Sequence, residues 1–151
     1  MDKVVELEIP GPKLTNSIVS PEHVGKIWSD IQDLLIDVIS EHQNEHTLYD
    51  VIAGISNGSL ILWVGAVDDC IEAVSVFNFL NFPNKRVLNM MLFNAKNGNF
   101  EHKDMYVEAT YNIAKNNGCN SIYFHGRCGW LKVLKEYGYT EIYRVAERKI
   151  Q

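Results

Sequence analysis

The sequence predicts an α+β fold: one mixed, mostly antiparallel sheet flanked by helices, in a single domain spanning residues 1–151. Three observations predict it. A chain of 151 residues is the length of one domain. Apolar residues recur at helical spacing from Val24 to Ile55, run almost continuously between Leu60 and Phe93, and return to helical spacing after Lys103. The runs between residues 60 and 93 are joined by connections short enough for an antiparallel meander, while the later strands alternate with helices.

The elements follow in order. Residues 1–20 read as an N-terminal extension or a first strand, since Pro10-Gly11-Pro12 breaks whatever Val4–Ile9 begins. Ser20-Pro21 opens a helix, with Ser20 as N-cap and Pro21 in the first turn. Val24, Ile27, Trp28, Ile31, Leu34, Leu35, Val38 and Ile39 give that helix one apolar face as far as about His42. Thr47–Ser56 reads as a second, shorter helix ended by Asn57-Gly58. Strands follow at Leu60–Val67, Ile71–Phe82 and Arg86–Phe93, with Asp68-Asp69 and Pro83-Asn84 turning between them. Asn94–Asn99 is a polar loop, and Lys103–Asn117 is a helix closed by Gly118. Ser121–His125 is a short strand, and Trp130, Val133, Leu134 and Tyr137 mark a last helix closed by Gly138. Thr140–Lys149 reads as a final strand.

Composition excludes several classes. With 46% hydrophobic and 22% charged residues the chain is neither a disordered tail nor a fibrous rod. No apolar run reaches the roughly 18–20 residues that span a bilayer, so no membrane association is expected. Acids at Asp2, Glu6 and Glu8 interrupt the apolar core that a signal peptide requires, which makes a cytoplasmic protein the expectation. Cys70, Cys119 and Cys128 are too few for a disulfide framework and fit reduced thiols. Cys119, His125 and Cys128 lack the close pairing and the fourth ligand of a zinc site, so no metal is expected. A net charge of −5 speaks against a nucleic-acid partner. The charge is unevenly placed: residues 1–75 carry 3 basic and 13 acidic side chains, residues 76–151 carry 11 basic and 6 acidic. The second half is therefore where an anion would be met.

The element order, the stretch Ala114–Phe124, and Tyr137-Gly138-Tyr139 before the last strand resemble the GNAT superfamily of acetyl-CoA-dependent N-acetyltransferases. Gly126-Arg127-Cys128-Gly129-Trp130 resembles a phage-encoded subgroup with the same kind of fold. The resemblance implies acyl transfer from acetyl-CoA to an amine. It places the cofactor along Leu92, Phe93 and Asn94, with Gly98, His102 and Lys103 leading into the central helix and Arg127 facing a phosphate or carboxylate.

The family's phosphate loop depends on glycines that let backbone amides reach the diphosphate at a helix N-terminus. Aligned by the central helix, that loop falls on Asn97–His102, where Phe100 and His102 stand in the glycine positions and Glu101 adds a negative charge. The tyrosine that protonates the leaving thiolate in many members falls on Leu134; Tyr137 is a nearby phenol. A base must take a proton from an ammonium, which suits a glutamate or histidine of tuned pKa. Glu72, at the start of the long strand, and His125, at the end of the fifth, are the candidates.

Two functional classes are open on this reading. One is an acyltransferase binding a CoA ester. The other is a non-catalytic phage protein, in the host cytoplasm or the virion, that keeps the fold as a scaffold for a protein partner or for its own copies.

Overall fold

The computed structural model describes residues 11–41, 45–96, 101–126 and 128–151. The expected strand at Val4–Ile9 lies outside them. The chain runs β1 (Leu14–Val19), a 3₁₀ turn (Pro21–His23), α1 (Val24–Ser40), α2 (Leu48–Asn57), β2 (Ile61–Val67), β3 (Cys70–Phe82), β4 (Lys85–Ala95), α3 (Lys103–Asn116), β5 (Ser121–Phe124) and α4 (Cys128–Lys135). The five strands form one sheet in the order β1-β2-β3-β4-β5. All neighbours are antiparallel except β4 and β5, which are parallel and joined through α3.

Local chemistry sets the boundaries. Thr47 caps α2 by accepting from the Asp50 amide at 3.1 Å, and Gly58 ends the helix at φ +83°. Asp68 and Asp69 both adopt positive φ, the tight turn that suits the twist of a two-residue hairpin. Asn120 locks the β4–β5 register: its amide donates to Arg86 O at 2.8 Å and its side chain accepts from Arg86 N at 2.9 Å.

The sheet carries a core on each face. Ile31, Leu35 and Val38 of α1 and Val51 of α2 pack on Leu62, Val64, Val74, Val76 and Leu92. Tyr106, Ala109 and Ala114 of α3 pack on Trp63, Ala73, Phe77, Leu88 and Met90. No helix among the described residues is long and apolar enough to cross a membrane.

The first strand, one of the two readings of residues 1–20, is Leu14–Val19: it is an edge strand, mostly exposed, fixed by pairing with β2 and by Trp63 Nε1 donating to Asn16 Oδ1 at 3.2 Å. Two expectations need correction. Asn94, expected in a loop, is inside β4, because its partner Val74 continues the ladder. Thr140–Lys149 is not a strand; every residue from Thr140 to Gln151 is exposed and outside the sheet. Strand-forming side chains make a strand only where a neighbouring strand and a covered face receive them.

Candidate functional site

The site begins with one extra residue in β4. Val76 pairs with Leu92 and Phe77 with Met90, so Met91 has no opposite number on β3. Such a bulge bends a strand and increases its local twist. The β4–β5 ladder ends at the same place: Met90 opposite Phe124 is its last pair, with His125 N reaching Met90 O at 3.5 Å. Beyond it β4 stays paired to β3 as far as Ala95 while β5 has ended. The strands therefore part at Met91, and beyond it β4 presents an edge without a strand neighbour among the described residues.

The first cofactor candidates lie on this edge. The Leu92 side chain is buried in the α1 core. Phe93 faces the other way, its ring 5.1 Å from Trp130 and 5.4 Å from Tyr106. Asn94 ties the edge to α1, donating from Nδ2 to Leu34 O at 3.0 Å while its Oδ1 accepts from Ala95 N at 2.9 Å. The stretch open to an extended ligand is accordingly Met91–Phe93. Phe93, Phe124 and Trp130 floor it on the α3 and α4 side, above a small apolar cavity of about 30 Å³.

The start of α3 carries the next group. His102 is its N-cap residue without a side-chain capping bond, and its ring lies 4.0 Å from the Glu101 carboxylate. Lys103 Nζ is 3.5 Å from Glu136 of the α4 end. The Tyr137 hydroxyl donates to Asp104. That bond to a carboxylate, with lesser contributions from burial and the charges of Asp104 and Glu136, pushes the Tyr137 phenol up to about 12. Two polar contacts thus tie the end of α4 to the first turn of α3. Gly98 and Arg127 lie outside the described residues, as does most of the expected phosphate loop. Leu134, where the resemblance calls for a tyrosine, is a buried core residue.

The three catalytic candidates occupy different places. Glu72 is the extra residue of a second bulge, since Gly65 pairs with Ala73 and Ala66 with Ile71. Its charge reaches Tyr106 of α3, whose phenol is raised first by burial and then by Glu72. The neighbouring pair Ala73–Ala95 lies five residues along β4 from Met90, roughly 17 Å of strand. Tyr137 faces the same first turns of α3 through Asp104. His125 alone stands beside the bulge at Met91.

His125 belongs to a polar chain that the sequence hides. Its Nε2 is 2.7 Å from Asn89 Oδ1, and Asn89 Nδ2 donates to Asn78 Oδ1 at 3.0 Å. With Asn89 Oδ1 accepting, His125 Nε2 is the donor in this bond. Asn89 lies between Leu88 and Met90, which belong to the α3 core, so alternation turns it to the α1 face. A groove of about 940 Å³ runs along β5, bordered by Val38 of α1 and Glu41 just after it, by Ser121–His125, by Tyr111 of α3 and Trp130 and Leu134 of α4, and by residues 139–145. Two asparagines in step across the middle of apolar strands are the signal that could have been read. Asparagine's preference for turns obscures it.

No family model matches this chain, and no curated protein matches it either. Solved structures do. An aminoglycoside N-acetyltransferase, AAC(6′)-Iy, solved with CoA, superposes with a TM-score of 0.70 at 13% identity over 96% of this chain and 99% of its own. A protein from Clostridium acetobutylicum described as a predicted acetyltransferase, solved with acetyl-CoA, gives 0.63 at 18% identity over 91% and 96% of the two chains. A GNAT family acetyltransferase from Staphylococcus aureus gives 0.66 at 13% identity over 91% and 98%. The fold is that of the GNAT acetyltransferases.

Proposed function

We propose that the chain binds an acyl-CoA ester along β4 and transfers its acyl group to an amine, with His125 as general base. The observation that carries this reading is the parting of β4 and β5 at Met91, which leaves the Met91–Phe93 edge unpaired beside His125. The neighbours solved with CoA and acetyl-CoA share this fold and support the choice of ligand.

The residues present fit the ligand's amide arm, because an extended chain bearing amides can add to a free strand edge as a short strand would. Acetyl-CoA, when bound, supplies an activated acyl group as a thioester. The free edge of β4 offers backbone amides that act as hydrogen-bond donors towards an acyl oxygen. Asn94 keeps that edge straight by its bonds to Leu34 O and Ala95 N. The groove along β5 admits the amine, and His125 takes the ammonium proton while Asn89 holds the ring. Lys103 supplies positive charge at the α3 N-terminus, with Gly98, His102 and Arg127 as the other contacts towards the diphosphate. Tyr137 keeps its proton at neutral pH and holds α4 against α3 through Asp104.

A second reading is a non-catalytic phage module that uses the same scaffold to bind a protein. It is supported by the carboxylates of Glu101 and Asp104 around the α3 start, where a diphosphate would lie, and by Leu134 in place of a tyrosine. Calorimetric titration with acetyl-CoA and with CoA separates the two. Saturable heat at micromolar ligand supports acyl transfer. No heat at millimolar ligand overturns it and leaves the binding module.

A further inference from the structure

The fork between β4 and β5 has two different sides. Asn89 and His125 make one of them polar. The other is apolar. Met90 and Phe124, the last pair of the ladder, both belong to the core under α3, and Phe93 is the next residue of the open edge to join them there. The cavity of about 30 Å³ lies beneath these three side chains. Ile122 of β5 and Trp130 and Val133 of α4 close it, and the Trp130 ring stands 5.1 Å from Phe93 and 5.4 Å from Phe124.

The polar groups on the lining are already engaged or neutral. The Thr110 hydroxyl donates to Tyr106 O at 2.9 Å, and Lys103 Nζ pairs with Glu136 at 3.5 Å. Tyr106 and Tyr139 are the others, and burial is the first cause that raises both phenols, so the surroundings disfavour charge. Water is poorly held in such a space, because it finds too few of the hydrogen-bond partners it needs. A hydrocarbon chain needs none, and it recovers the dispersion contacts that a void forfeits. A water-sized group takes about 10–15 Å³, so the cavity has room for about two carbons of such a chain.

We propose that this cavity receives the tail of the acyl group, and that the donor is a short, straight, uncharged acyl-CoA longer than acetyl, with butyryl the best fit. The inference rests on the acyl transfer proposed above. With the thioester at the Met91–Phe93 edge, the first carbon after the carbonyl occupies the fork. Two further carbons pass between Met90, Phe93 and Phe124 into the cavity. An acetyl group stops short and leaves the space empty. A hexanoyl chain overruns it, and packed cores resist such insertion. A succinyl chain brings a carboxylate among apolar rings without a partner for it. The amine comes from the His125 side, so tail and acceptor do not compete for space.

The test is calorimetric titration of the intact chain with acetyl-, propionyl-, butyryl-, hexanoyl- and succinyl-CoA, without an acceptor. Each methylene buried is worth about fourfold in affinity, so butyryl-CoA is expected to bind about fifteenfold tighter than acetyl-CoA. Propionyl-CoA is expected in between, and hexanoyl- and succinyl-CoA weaker than butyryl-CoA. Val107 of α3 also lines the cavity. Val107→Phe is expected to bring the affinity for butyryl-CoA down to that for acetyl-CoA, and Val133→Ala to move the optimum to a longer chain. A length preference that neither variant moves overturns the assignment to this cavity. Butyryl-CoA less than about threefold tighter than acetyl-CoA overturns the inference from the native chain alone. So does an affinity that keeps rising to hexanoyl-CoA, since no bounded cavity then sets the length. In each of these cases bound acetyl-CoA leaves acyl transfer standing. No heat with any ester at millimolar concentration overturns the acyl-CoA reading itself, and this inference with it.

Discussion

His125 Nε2 lies 2.7 Å from Asn89 Oδ1, and this contact fixes the orientation of the imidazole proposed as the base. Asn89 is itself held by Asn78 at 3.0 Å, so the imidazole is fixed from β3 through β4. His125→Ala is expected to lower kcat with an amine acceptor by about 10²- to 10⁴-fold, the usual contribution of a general base, with little effect on acetyl-CoA binding. Asn89→Leu keeps the imidazole but frees the ring, so kcat is expected to fall while cofactor affinity stays. A wild-type rate in His125→Ala removes the histidine from the mechanism.

Tyr137 and Asp104 make a different prediction, in alkali. The phenol sits at about 12 because Asp104 accepts its hydrogen bond and repels its anion. A raised phenol pKa means that the folded chain holds its proton more tightly than the unfolded chain. The resulting stabilisation is therefore complete below pH 10 and is lost as pH climbs towards 12. Asp104→Asn is expected to bring the Tyr137 titration back towards 10, followed by NMR of ring-labelled tyrosine. Tyr139 also sits at about 12, but through burial alone, and is expected to stay there in the same variant.

The stable parts of the fold are legible because burial leaves a pattern in sequence. The face of α1 at Ile31, Leu34, Leu35 and Val38 is written at helical spacing, and β2 is a continuous apolar run and β3 a mostly apolar one because both of their faces are covered. β1 is legible only as one reading of residues 1–20, without its bounds, since an edge strand reading Leu-Thr-Asn-Ser-Ile-Val buries too little to show alternation. The bulge at Met91 depends on which residue of β3 meets which of β4, and register is a pairwise property that neither strand states alone. His125 could be found as the polar end of a short strand. Its partners could not, because only the pairing of Asn78 with Asn89 brings the two amides into line. Residues 140–149 fail in the opposite sense: they have the side chains of a strand and no strand neighbour among the described residues.

Asn94 is expected to matter more than an ordinary edge asparagine. Its side chain bonds α1 through Leu34 O and occupies the Ala95 amide, so it defines where the open edge of β4 stops. Asn94→Ala leaves a partly buried carbonyl and amide to find other partners, at a cost of about 1–3 kcal/mol. Denaturant unfolding measures that loss. Faster exchange of the Leu92 to Ala95 amides is expected beside it; unchanged exchange would show that β3 alone keeps the edge in place.

Gly65 tests how closely α3 must lie on the sheet. A Cβ added there would stand 2.9 Å from the Trp63 ring and 3.2 Å from both Met105 and Tyr106. Trp63 and Tyr106 already meet edge to face, with centroids 5.9 Å apart, and Tyr106 in turn meets Phe93 of the β4 edge. Space for a methyl therefore has to come from α3 moving outward, and packed cores resist such insertions by about 1–3 kcal/mol. Gly65→Ala is expected to lower the unfolding midpoint accordingly. Because α3 carries Lys103 and Asp104, the same shift is expected to weaken the Tyr137–Asp104 bond and bring the Tyr137 titration down from about 12. A destabilised variant whose Tyr137 still titrates near 12 would show that α4 follows α3 as one body, and that the two helices are tied to each other more firmly than either is to the sheet.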